Sequence, residues 1–541
     1  MPQNWTTRRR LFPSLSDLVF STTLLYLVLI GKGATALLSD SDTGWHIRTG
    51  DWILSHLAVP RLDLFSFSKP GGQWFAWEWG SDVLFALIHR YAGLGGLVLL
   101  AGLVIASVFA LLYRFMLRRG ANVVLAAALA LVASYAASIH WLARPHMFSW
   151  VFALAFYWML EETPVEGGKI FWLVPLTALW TNLHGSFVLG LFLIGLYGVG
   201  ELLRAVLAAG DDAAPRRRQS FERAGRYVVL LAACGAASLL NPYFYRVHLH
   251  IFAYLKDPYV FDHIGEFFSP NFHTPDTRFF EVLLLLGLGG GIWAVRQGRY
   301  TQALLVLTFA HLGLQSARHI PLYVIFAAPV IAAALTEALA GRPGAMLAGW
   351  LEKSLGGFER FSADIRELEI RPRFYATSGL ATLLVVALLW APASAGELKD
   401  FRPQFSAKTF PAAAADYLEK ASFQGNIFTT DQWSSYLIYR FFPRIRVFMD
   451  GRSDYYGGKL GEQYLNVLGV HHTWQATLNE YGVDSILLPV DSGLAGALKE
   501  TALWKVAYDD GVAILFYRTD TAAAQLVAAV DGATKRSQED R

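Results

Sequence analysis

Apolar runs of about 18 residues or more, the length that crosses a bilayer core, recur through the first 393 positions of the chain. They predict a polytopic α-helical membrane protein with about eleven transmembrane helices. The spans fall at 16–38, 95–116, 122–139, 147–160, 170–182, 187–206, 227–240, 278–295, 301–317, 320–339 and 374–393. The first run, Leu11–Leu38, is too long for a signal-peptide core and lacks a small-residue cleavage site, so it reads as a retained span. Past 393 the periodicity changes. GNIFTT (425–430), RVFMD (446–450), SILLPV (485–490), WKVAYDD (504–510) and VAILFYRT (512–519) read as strands, with helical stretches at 434–441 and 473–482 between them. Such alternation predicts an α/β layer with some parallel pairing. The expected organisation is a transmembrane domain over 1–393 with long loops at 39–94 and 241–277, a soluble α/β domain over 394–520, and a disordered tail over 521–541.

Charge adds an orientation. With the amino terminus inside, the inner segments hold Arg8–Arg10, Arg118, Arg119, Arg216–Arg218, Arg223, Arg226 and several more. The outer segments carry fewer than half as many basic residues, as the positive-inside rule requires. All but one of the 14 histidines, His311 being the exception, fall in segments that this topology places outside or at outer helix ends. The outer face is therefore the expected working face, and the soluble domain is expected to lie there. Both long loops are aromatic, the first with Trp45, Trp52, Trp74, Trp77 and Trp79, which suits the headgroup layer. Composition agrees, with 54% hydrophobic and only 16% charged residues, against about 25% charged in soluble domains. The single cysteine, Cys234, excludes an intrachain disulfide. The sequence has no P-loop, CxxC or strand-linked GxGxxG, so nucleotide-driven transport is not expected. Nor is a nucleic-acid partner.

The sharpest polar feature is Asp40-Ser41-Asp42, directly after the first span and followed by Trp45, His46 and Arg48. Two carboxylates at a membrane surface can accept a proton or help hold a divalent cation; a helix cap or a solvated loop acid explains the same spacing. Arg144-Pro145-His146, His184 and Arg318-His319 occupy three separate short turns. Guanidinium forks suit a phosphate or carboxylate, so these turns could oppose the acids or simply anchor helix ends to lipid. Lys32 lies seven positions before Asp40 on nearly the same helix face, as a counter-ion, a phosphate contact or a snorkelling lysine. Asp450, Arg452 and Asp454 read as an internal ion pair at a strand end, and His471-His472 lacks the further ligands of a metal site.

The phrases SDSDTGWHIRTGDWIL, VPRLDLFSFS, EWGSD, HWLARPH, WTNLHGS, LNPYFYRVH and SARHIP, with GNIFTTDQWSSYLIYRF, VFMDGRSDYY and YGVDSILLP beyond the last span, together resemble the GT-C superfamily of membrane glycosyltransferases. The similarity is to bacterial members near the dolichyl-phosphate-mannose–protein mannosyltransferases and covers about 39–520. It implies a multi-pass protein of the bacterial cytoplasmic membrane. Such a protein would move a sugar, with inversion, from a polyprenyl-phosphate donor to an envelope glycan, lipid or protein at the outer face. The acidic role of the first outer loop falls on Asp40 or Asp42, as base or as acceptor or metal ligand, a divalent cation being the one cofactor to consider. Donor-phosphate contacts fall on His46, Arg48, Arg144, His146, His184, Arg318, His319 and Lys32. The chain has no WWD-type acceptor motif and carries DxD in place of adjacent acids. A transporter or lipid flippase, with charges at mid-bilayer and broken helices, and an inert scaffold presenting the 394–520 domain are the alternatives.

Overall fold

The computed structural model describes residues 13–30, 33–210, 212–340, 349–370, 375–391 and 402–520. Lys32 and the 521–541 tail lie outside the described residues. The described residues are mostly helical, with two small sheets among them near the carboxyl end. It divides into two compact units, each discontinuous in sequence.

The first unit comprises Met1–Ala36, Val98–Phe244 and Gly265–Arg402. Helices occur at all eleven predicted spans. Among the described residues five are long and apolar enough to cross a membrane: Trp79–Arg118 (broken at Gly93), Val123–His140, Gly185–Val206, Thr277–Arg296 and Ala317–Ala340; Leu15–Leu29 and Ala376–Leu389 are shorter apolar helices. The others differ for visible reasons. His146–Glu162, Leu173–Leu183 and Tyr300–Gln315 are shorter than a full crossing, and Ala213–Ala237 carries RRRQSFERAGR near its start. Leucine, valine and alanine on most faces of these helices suit an apolar surround, where backbone groups must be satisfied within the helix. Polar residues cross-link them. Ser14 and Asp17 form a capping box on the first helix, and Asp17 also accepts from Ser378. The Tyr323 hydroxyl donates to the Leu283 carbonyl at 2.7 Å. Each is an interhelical bond of the kind that replaces hydrophobic drive where both sides are apolar.

The second unit comprises Leu37–Leu97, Tyr245–Ile264 and Pro403–Arg541. Strands β1 (Gly425–Ile427) and β2 (Ile445–Val447) pair in parallel. Strands β3 (Ser485–Pro489), β4 (Trp504–Asp509) and β5 (Ala513–Arg518) form an antiparallel sheet in the order β3-β5-β4. A parallel bridge from Phe428 to Ile486 joins the two sheets. The first long loop adds to the free edge of β2: Val447 N–H donates to Phe65 O at 3.1 Å and Phe67 N–H to Val447 O at 3.0 Å. An edge strand that would otherwise expose its backbone is thereby covered.

The loop is held by a buried ion group. Arg452, 2% exposed, donates to both Asp450 oxygens at 2.8 and 2.7 Å and to Asp63 Oδ1 at 2.7 Å. The rings of Trp74 and Phe65 lie 4.5 and 4.8 Å from its guanidinium carbon. Burial alone would raise the Asp63 carboxyl; Arg452 and hydrogen bonds from Ser66 outweigh it and hold it below the usual range. Asp454 instead meets His250 Nε2 at 2.9 Å, tying helix Arg246–Tyr254 to this unit.

Candidate functional site

In the first unit, three turns and one loop bring Arg144, His140, His184 and Arg318 around Glu266. Backbone bonding sets this up. Ala317 N–H donates to Phe268 O at 2.9 Å and Ser316 Oγ donates to Glu266 O at 3.0 Å, so the loop carrying Glu266 lies against the turn carrying Arg318. The Glu266 carboxylate is 3.1 Å from Arg318, 3.7 Å from Arg144 and 3.8 Å from His140. Arg318 also covers the Phe267 ring at 4.4 Å. Both arginines keep 21% of their side chains exposed and Glu266 keeps 22%, so the group is sheltered yet reachable. Burial would raise the Glu266 carboxyl; Arg318 and Arg144, then His140 and His184, overcome it and hold it at about 2. Glu266 is thus ionised at any physiological pH.

His184 is fixed from behind. Ser186 N–H donates to His184 Nδ1 at 3.2 Å, so that nitrogen is the acceptor and the neutral ring carries its proton on Nε2. Trp180 Nε1 donates to Ser149 Oγ at 2.9 Å, and Ser149 Oγ in turn donates to His184 Nδ1 at 2.8 Å. Burial, then Arg318 and Arg144, depress the imidazole to about 3, which keeps it neutral.

The neighbouring histidines do other work. His146 Nε2 donates to His140 O at 3.1 Å and His319 Nδ1 to Leu312 O at 3.3 Å, so both brace the turns. Asn182 donates to Ala178 O and Leu240 O as an interhelical bond.

The remaining sequence candidates belong to the second unit. Asp40 is part-exposed, and its Oδ1 accepts from Asp42 N–H at 2.9 Å in an Asx turn that leads into helix Asp42–His56. Asp42 is 4% exposed and accepts from Ser435 Oγ at 3.1 Å. A Cβ on residue 451 would lie 1.9 Å from Asp42 Oδ1, which is why glycine stands there. His46 is fully buried, 2.6 Å from Asp82 Oδ1 and 3.5 Å from Glu78 Oε2. Beside it Gly50 lets the helix close on the Asp82 carbonyl, 1.9 Å from where a Cβ would be. Arg48 donates through Nε to Tyr439 O at 2.8 Å and pairs with Asp51 at 3.0 Å. Ser41 donates to Gln432 O. Ser41, Asp42 and Arg48 therefore join helix Asp42–His56 to helix Asp431–Phe441 (packing that accounts for much of the SDSDTGWHIR phrase).

Asp431 is an acid that sequence reasoning missed. Burial first, with the Asp40 charge adding to it, raises its carboxyl pKa against two backbone hydrogen bonds. Its place between the carboxyl end of β1 and the start of helix Asp431–Phe441 was the available signal. Among the described residues no three His, Cys, Asp or Glu side chains are grouped to hold a metal ion. Asp42 lies against Ser435 Oγ and the Gly451 backbone, and a divalent cation takes six or more oxygens, more than two carboxylates alone hold.

No family model matches the sequence, and no curated protein matches it. Among solved structures, the chain is similar to the archaeal oligosaccharyltransferase AglB from Archaeoglobus fulgidus, solved in complex with an inhibitory peptide and a dolichol-phosphate. The match covers 94% of this chain and 74% of that one, with a TM-score of 0.51 and 11% sequence identity. The likeness is one of fold.

Proposed function

We propose that the chain is a glycosyltransferase that takes a sugar from a polyprenyl-phosphate donor and passes it to an envelope acceptor at the outer face of a bacterial cytoplasmic membrane. The observation that carries this reading is the convergence of Arg144 and Arg318, from separate turns, on one sheltered and reachable spot. Two guanidiniums and a neutral imidazole donor suit phosphate oxygens. The likeness in fold to an enzyme solved with a dolichol-phosphate supports the same chemistry.

In the proposed reaction an acceptor oxygen attacks the anomeric carbon. The bond from that carbon to the phosphate oxygen breaks, and its electron pair leaves on the phosphate, where Arg144 and Arg318 stabilise the gathering charge. The acceptor's proton passes to a carboxylate base, the role that the sequence resemblance gives to Asp40, which is part-exposed in its own unit, while buried Asp42 holds helix Asp42–His56 in position. One displacement inverts the anomeric configuration.

The test uses the purified full chain in proteoliposomes, supplied with polyprenyl-phosphate sugars and an envelope extract, and follows release of polyprenyl phosphate. Release with one donor class, coupled to acceptor labelling, is expected. Donors that bind through the arginines but are never consumed would point to the scaffold, and intact donor crossing the bilayer would point to the flippase.

A further inference from the structure

Resting on that reading, we propose that Glu266 sets the charge of the arginine site so that it favours a singly charged phosphodiester over a doubly charged phosphomonoester, holding the loaded sugar carrier and releasing the spent one. A polyprenyl-phosphate sugar is a diester with one negative charge. Once the sugar leaves, the carrier is a monoester whose second ionisation lies near pH 6, so it carries about two charges above neutrality. Two bare guanidiniums would hold that product more tightly than the substrate and stall turnover.

The geometry answers this. A single carboxylate lies 3.1 Å from Arg318 and 3.7 Å from Arg144, offsetting one of their two charges. It is a fixed part of the site, because Ser316 Oγ and Ala317 N–H bond the backbone of its loop. His184 adds a donor without adding charge, since Ser186 N–H and Ser149 hold it as the Nε2–H form. Every negative charge on the ligand therefore meets the repulsion of Glu266, and the monoester meets it twice.

The experiment measures binding to the full chain in phosphatidylcholine nanodiscs at pH 8, with farnesyl phosphate, its methyl diester and inorganic phosphate as probes. Glu266→Gln is expected to shift the ratio of monoester to diester affinity about tenfold toward the monoester, one unit charge at about 6 Å under partial screening. Arg144→Gln shifts it the other way, and Glu266→Gln/Arg144→Gln, with the original charge balance, returns it to the wild-type value. The double variant also carries the test if Glu266→Gln alone does not fold. An unchanged ratio in Glu266→Gln, or a double variant that behaves like Arg144→Gln, overturns the proposal. Inorganic phosphate binding as tightly as farnesyl phosphate overturns the lipid carrier as its source. If neither farnesyl ester shows saturable binding in the wild type, the glycosyltransferase reading itself fails first.

Discussion

Asparagine in place of Asp40 is expected to cut turnover by about 10²–10⁴-fold, the usual contribution of a general base, with the KM for donor unchanged. The substitution isolates charge from structure. Asparagine keeps the oxygen that accepts Asp42 N–H and forms the same Asx turn as aspartate, so helix Asp42–His56 keeps its start. Removing the charge also removes a cause of the raised Asp431 carboxyl, so Asp431 should titrate lower in the variant. Steady-state kinetics over a pH series reads both effects. Asp42→Asn should behave differently: the buried Ser435 contact weakens, and loss of activity should follow loss of folded protein. Full turnover in Asp40→Asn with an intact fold would strip Asp40 of its role and leave Asp431 as the acid to examine.

Arg452→Met is expected to destabilise the second unit by about 3–5 kcal/mol, the loss seen when one member of a buried ion group is removed. Methionine fills much of the space under Trp74 and Phe65, but it leaves Asp63 and Asp450 buried without a counter-charge. At about 2–4 °C per kcal/mol for a unit of this size, the apparent Tm of the full chain should drop by roughly 10 °C. Because the cost lies in orphaned carboxylates, Asp63→Asn/Asp450→Asn/Arg452→Met should recover most of the loss. A triple variant as unstable as the single one would mean that the aromatic contacts, not the charges, hold the loop.

Much of the helical frame was legible because crossing a bilayer imposes one length and one composition. The strands near 425, 446, 485, 504 and 513 were legible for a similar reason, as short apolar β-branched runs between turns. The ion pair at Arg452 could be anticipated from Asp450 beside it, although Asp63 as its second partner could not. Partners such as Ser41 with Gln432 and Asp42 with Ser435 lie nearly four hundred positions apart, and no local periodicity reports them. For the same reason the loop after the first span could not be seen to fold with the residues after 402. Glu266 escaped notice as one of several acids in an aromatic segment. Its one trace was indirect: Arg144 and Arg318 each sat in a turn without an acid of its own, and sheltered cations need one. The arginine turns were readable as cationic, but their common centre was a tertiary fact.

The site's claim to a phosphate rests on Arg318, the guanidinium nearest Glu266, and equilibrium binding of farnesyl phosphate to wild type and Arg318→Gln addresses it directly. Saturable binding by the wild type, weakened at least tenfold in the variant at unchanged thermal stability, is the expected result. Equal affinity in the two proteins would contradict it and leave the arginine cluster a structural device of the fold.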